Sequence, residues 1–225
     1  MPEEFIFVTV VIFVMLSIYA YRWWANRKRR HALVELADNW MYQYSAKDDE
    51  LRDSLDAFYL LSRGRRKRTN NVMRGKESGV EVTFFDYRHT TGGGRSSKEH
   101  YESVVMLRSS RLELPFFSVR PKGVFEFMRK RFGKTAVELA DGSQFDEKYL
   151  VFPAKEADPE PIKRVLKMSV RDQLTRDGKL ILEGDRDRLL IFRTDKLVKV
   201  DEMRTFLDEA IAIFQQLAKS DGWSY

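Results

Sequence analysis

The sequence predicts an α+β protein: one N-terminal transmembrane helix, then a soluble domain with a mostly antiparallel sheet and packed helices. Three observations point there. The first 21 residues contain a run from Phe5 to Tyr21 with no charge, proline or glycine. The strand-like runs after residue 78 come in hairpin-connected pairs and do not alternate regularly with helices, which disfavours a parallel sheet. Met203, Phe206, Leu207, Ala210, Ile211, Phe214 and Leu217 recur at helical spacing, so that helix must bury a face.

The N-terminal element spans residues 5–24. At about 1.5 Å per residue such a helix covers roughly 30 Å, the thickness of a bilayer's hydrocarbon core. Tyr19, Tyr21, Trp23 and Trp24 crowd one end, where an aromatic belt would lie. Arg22 falls inside the span, and its long stem carries the charge to the interface. Glu3 and Glu4 precede the span, whereas Arg22, Arg27, Lys28, Arg29 and Arg30 lie at or beyond its far end. The positive-inside bias therefore puts the N-terminus outside and the rest in the cytoplasm. A secretory signal would want a basic start and small residues near a cleavage site, and this stretch has neither. A buried core helix would show a polar face. The expected organisation is a transmembrane anchor over 1–25, a juxtamembrane helical stalk over 26–39 and a cytoplasmic α+β domain over 40–225.

Taken in order, the domain begins with a short strand over 40–44. A short helix over 48–55 follows, with acids in its first turn and a start near Ser45 or Lys47. Residues 62–69 read as a basic connector. The run Gly79-Val-Glu-Val-Thr-Phe-Phe-Asp-Tyr-Arg88 is the strongest strand signal, with Val80, Val82 and Phe84 on one face and Glu81, Thr83 and Phe85 on the other. A second strand is expected over 101–107. The stretch between them, 89–100, contains Gly92-Gly-Gly94 and reads as a long flexible hairpin connection. A third strand over 116–120 is bounded by Pro115 and Pro121, which suggests an edge position. Then come a helix over 124–132 stopped by Gly133, a short strand over 136–139, a turn at Asp141-Gly142 and a strand over 148–152. A helix over 162–174 follows Asp158-Pro-Glu-Pro161. A hairpin over 179–192 turns at Gly184-Asp-Arg-Asp187, and the amphipathic helix closes the order.

Composition narrows the function classes. The content is 43% hydrophobic with 13% aromatic, which suits a folded domain. There is no cysteine, which excludes disulfides, thiolate metal sites and cysteine nucleophiles. The net charge is +6, but two stretches free of acids, 22–30 and 63–76, hold more positive charge than that, so the remainder is net acidic. Arg63, Arg65, Arg66, Lys67 and Arg68 form the densest run. With the juxtamembrane cations, they are candidates for contact with the membrane surface, since anionic headgroups attract such residues by about 1 kcal/mol each.

The pieces Asn71-Val-Met-Arg-Gly75, Gly79-Val-Glu-Val-Thr-Phe-Phe-Asp-Tyr-Arg88, Thr90-Thr-Gly-Gly-Gly94, Leu114-Pro-Phe-Phe-Ser-Val-Arg-Pro121 and Phe145-Asp-Glu-Lys-Tyr-Leu-Val151 resemble an uncharacterised family of bacterial single-pass membrane proteins with a cytoplasmic domain. The resemblance covers most of the soluble part. It implies a location in the bacterial cytoplasmic (inner) membrane and carries no reaction with it.

The chemical constellations are thin. Gly92-Gly-Gly94 lacks the Lys and the following helix of a phosphate-binding loop. His89 and His100 flank that loop and could face each other. Asp86 and Glu99 lie nearby, making a polar cluster of Asp86, His89 and His100 for which metal ligation is the minor reading. No catalytic, cofactor-binding or metal residues are assigned, and no cofactor is expected. Nucleic acid is disfavoured because no aromatic interleaves the cations of 63–76. The expected partners are the lipid bilayer, anionic headgroups and an unknown protein. The leading expectation is a non-enzymatic protein- or membrane-surface-binding module. The runner-up is an enzyme acting on a membrane-derived or phosphorylated substrate, with His89 and His100 joined to Asp86 in a cleft.

Overall fold

The computed structural model describes residues 2–62, 64–123, 136–137, 139, 144–153 and 158–218. Arg63, the helix expected over 124–132 and the turn at Asp141-Gly142 lie outside the described residues.

A single helix, α1 (Pro2–Asn39), runs unbroken from the apolar stretch into the domain. Phe5, Phe13 and Leu16 are exposed, and none of its most apolar window is buried against the protein. The helix is long and apolar enough to cross a membrane, and its exposure separates it from a core helix. Its last turns differ. Leu33 and Ala37 are buried in the main core, and Leu36 and Trp40 pack at the edge of that core.

Eight strands form one sheet: β1 (Gln43–Lys47), β2 (Arg65–Glu77), β3 (Val80–Thr91), β4 (Lys98–Arg108), β5 (Leu114–Pro121), β6 (Tyr149–Pro153), β7 (Leu180–Arg186) and β8 (Arg188–Arg193). Their order is β1-β2-β3-β4-β8-β7-β5-β6. Every neighbouring pair is antiparallel. The C-terminal hairpin β7–β8 sits between β4 and β5, so both ends of the chain share one sheet. The described helices of the domain are α2 (Asp49–Ser54), α3 (Tyr59–Ser62), α4 (Gln144–Lys148), α5 (Glu160–Val165), α6 (Met168–Asp177) and α7 (Met203–Leu217).

Period-2 alternation sends each strand's side chains into two cores. On one face Val82, Phe84, Val105, Leu107, Leu182 and Ile191 meet α7, α6 and the end of α1. Phe85, Tyr87, Val104, Ile181, Leu190 and Phe192 meet Leu51, Leu55 and Phe58 on the other. Both faces are covered, which is why these strands read as nearly continuous apolar runs. The stripe of α7 supplies Met203, Phe206, Leu207, Ala210, Phe214 and Leu217 as expected, but Ile213 is the buried isoleucine and Ile211 only packs at the margin.

Several local expectations are corrected. The basic stretch expected as a connector is largely strand, since β2 begins at Arg65 and pairs Arg65 with Thr90 and Arg68 with Arg88. Its charged side chains hid the strand signal, and backbone pairing to β3 supplies the order that apolar alternation does not. The first strand starts at Gln43, because Met41 takes a left-handed φ of 57° and turns the chain after α1. Asp48 caps α2 by accepting from the Leu51 amide at 2.8 Å, so neither Ser45 nor Lys47 does. The strands flanking Gly92 extend past His89 and His100, leaving a shorter loop than expected. β5 is interior, and its register shifts between Leu114 and Phe117, which accommodates Pro115. The helix expected over 162–174 is two helices, broken at Leu166 and Lys167, whose backbones leave the helical region. Gly184 lies inside β7, not in the turn, and its lack of a Cβ makes room for the Phe117 ring.

A cationic groove and a buried histidine cluster

The exposed part of α1 ends where the helix comes alongside the sheet, and a groove of about 690 Å³ opens there. Trp23, Arg27, Arg30 and His31 of α1 form one wall, and Lys47, Arg68 and Arg88 of the sheet form the other. Arg27 lies over the Trp23 ring at 5.3 Å and Lys28 over Trp24 at 5.4 Å. Each cation therefore sits against the aromatic that marks the end of the apolar stretch.

Asp86 is the acid of this groove, and it is already committed. Arg29 donates from Nε at 2.8 Å and from Nη2 at 2.9 Å to its two oxygens. Asn71 Nδ2 and Ser103 Oγ also donate to it, at 2.9 and 2.7 Å. Arg29 further reaches the Val198 carbonyl at 2.7 Å. Arg29 was expected at the membrane surface, but it faces inward and fastens α1 to the sheet. Arg88 pairs with Glu99 and lies over Tyr101 at 5.5 Å. The Tyr101 hydroxyl, 2.7 Å away, and Arg88 hold the Glu99 carboxyl below its ordinary value. Among the described residues, Arg27, Arg30, Lys47 and Arg68 have no carboxylate within ion-pair distance. Elsewhere the domain pairs its arginines readily: Arg74 with Asp48, Arg108 with Asp187, and Arg193 with Asp177 and Glu209.

The histidines lie on the opposite side of the sheet. Asp86 and Tyr87 are successive strand residues, so Asp86 faces α1 while Tyr87 and His89 face away. The expected union of Asp86 with His89 and His100 therefore does not form, and the cleft that would favour the enzyme reading is not assembled. His89 and His100 are a directly opposed cross-strand pair, with rings stacked at 4.7 Å between centroids and 13° between planes. Glu102, which the sequence reading passed over, joins them with an oxygen 3.6 Å from His89 Nδ1. Period-2 counting from His100 could have found it. His89 is sealed by Gly64, whose φ of 72° and close approach to the His89 ring leave no room for a Cβ. Asp195 accepts from His100 Nδ1 at 2.5 Å and from Lys98 at 2.9 Å. Burial would raise the Asp195 pKa, but these two donors more than reverse that and leave it below 3.8.

Of the remaining expected surface cations, Arg65 donates to the Gly92 carbonyl at 2.7 Å and braces the hairpin loop. Arg22, Lys28, Arg66 and Arg68 are exposed and Lys67 is half-buried. The sequence could not show that Arg68, Lys47 and Arg30 converge, because that depends on the β1–β2 register, in which Lys47 lies opposite Asn70.

The geometry defines a class: an α+β domain on a helix of membrane-spanning length, with a cationic groove where the two join. No protein-family model matches the chain, and no curated protein matches it. Its fold is similar to the crystal structure of the mycobacterial trehalose monomycolate transport factor A, TtfA, with a TM-score of 0.54 over 84% of this chain and 90% of that one. Identity is 14%, so the likeness shows the shared fold.

Proposed function

We propose that this is a single-pass protein of the bacterial inner membrane, N-terminus outside, whose cytoplasmic domain binds the membrane surface through its groove, taking the phosphate of an anionic lipid headgroup. The observation that carries this reading is the convergence of Arg27, Arg30, Lys47 and Arg68, without carboxylate partners among the described residues, just past the apolar stretch of α1. Arg27 and Arg30 lie about 4.5 and 9 Å along the helix beyond Trp24. That is within about one Debye length of the interface. The apolar length of α1 and its unbroken continuation into the core support a retained anchor. The name of TtfA ties that protein to trehalose monomycolate transport.

Trp23 at the groove gives the test a signal. In neutral detergent, phosphatidylglycerol should change the intrinsic fluorescence of the full chain saturably, and phosphatidylcholine should not. Replacing Arg30, Lys47 and Arg68 together with Ser should weaken the response about a hundredfold, at about 1 kcal/mol per cation. Equal responses to both lipids would refute the reading.

A further inference from the structure

We propose that His89, His100 and Glu102 form a binding site for a divalent transition-metal ion. The three lie on one face of β3 and β4: the histidines directly opposite each other, and Glu102 two residues along from His100. One ligating atom from each lies within 4.8 Å of the other two.

The polar atoms themselves point to a ligand. His89 and Glu102 are each only 2% exposed. Among the described residues, neither ring nitrogen of His89 has a hydrogen bond, and neither does Glu102 Oε2. Buried groups of this kind are normally satisfied, so an imidazole and a carboxylate oxygen left without hydrogen bonds, 3.6 Å apart and beside His100, call for a partner. A cation accepts lone pairs from all three residues at once.

His100 is already prepared for the role. Its Nδ1–H donates to Asp195, which leaves the Nε2 lone pair, now 2.7 Å from the Thr91 hydroxyl, as the ligand. A carboxylate on the far nitrogen of a ligating imidazole fixes its tautomer and raises its basicity. Two imidazoles and a carboxylate suit zinc and its neighbours in the first transition row, not calcium or magnesium. The stacked rings set the one rearrangement required. Ring lone pairs lie in the ring planes, and two nearly parallel planes share no point at bonding distance. His89 is the ring that turns, since it has no hydrogen bond to lose. The ligand atoms then close to about 3.4 Å from one another, as bonds of about 2.1 Å in a tetrahedron require.

The test uses the untagged full chain in detergent micelles, stripped with chelator and titrated with Co²⁺, with Zn²⁺ as competitor. One equivalent should bind with the intense visible bands of a low-coordinate site. His89→Gln and Glu102→Gln should each abolish stoichiometric binding, and Asp195→Asn should weaken it ten- to a hundredfold. Thr91→Val, which removes the hydroxyl competing for His100 Nε2, should bind at least as tightly as the parent. His100 is only partly buried, so His100→Gln provides a folded variant, checked by circular dichroism, if the buried positions do not tolerate change. No saturable Co²⁺ binding by the parent chain, or undiminished binding by folded His100→Gln, would overturn the proposal.

Discussion

Arg29 grips both carboxylate oxygens of Asp86, at 2.8 and 2.9 Å, and this pair locks the membrane-length helix onto the sheet. Both side chains are mostly buried, at 15% and 12% exposed. Asp86→Ala should therefore strand a buried guanidinium and cost about 3–5 kcal/mol. Arg30→Ala, one residue on and exposed, should cost under about 0.5 kcal/mol. Thermal unfolding in detergent compares them, and similar losses would show that α1 is not locked by this pair.

A second buried pair organises the other core. Arg120 and Glu183 are 1% and 0% exposed and hydrogen-bonded to each other. Glu183 also accepts from the Leu60 amide at 3.0 Å, and Arg120 lies 4.3 Å over the Tyr59 ring. Glu183→Leu alone should destabilise by about 3–5 kcal/mol, while the double change Arg120→Met/Glu183→Leu should recover most of that. Chemical denaturation measures both, and a double variant as unstable as the single would show that the pair matters through its packing.

Acid stability should depend on Asp177. Burial pushes its carboxyl up, but hydrogen bonds and charge from Arg193, with the Lys179 and Leu180 amides, bring it below 3.8. A lowered folded-state pKa contributes stability that is complete above the unfolded value and is lost as pH falls through the folded one. Asp177→Asn should thus lower stability at neutral pH and flatten its decline below about pH 4. Melting temperatures from pH 2 to 7 would show it, and a parallel decline in both proteins would remove Asp177 from the acid response.

Much of this architecture was readable from local pattern. The stripe of α7 and the alternation of β3 need only neighbours in sequence, and so does the apolar run of α1. What escaped depends on partners distant in the chain. Arg65 and Arg68 extend a strand only because β3 is there to pair with them. Nothing near Glu183 announces that Arg120 will neutralise it, and insertion of β7–β8 between β4 and β5 is a matter of topology. The histidine cluster was half legible. His89 and His100 could be seen to oppose each other, but Asp86, three residues before His89, lies on the wrong face, and Glu102, two residues after His100, on the right one.

Orientation is open to a direct check. A reporter fused after Tyr225 that functions only in the cytoplasm should be active, and one that requires export should be silent. The reverse pattern would place the domain outside and remove cytoplasmic headgroups as its ligand.

The groove itself can be watched. The chain has no cysteine, so Ala46→Cys places a single fluorophore in the groove lining. In nanodiscs carrying headgroup-attached quenchers, anionic lipid should quench it strongly at low salt. Molar salt should relieve the quenching, and so should Ser at Arg30, Lys47 and Arg68. Equal quenching in purely zwitterionic discs, indifferent to salt and to those substitutions, would contradict headgroup binding by this groove.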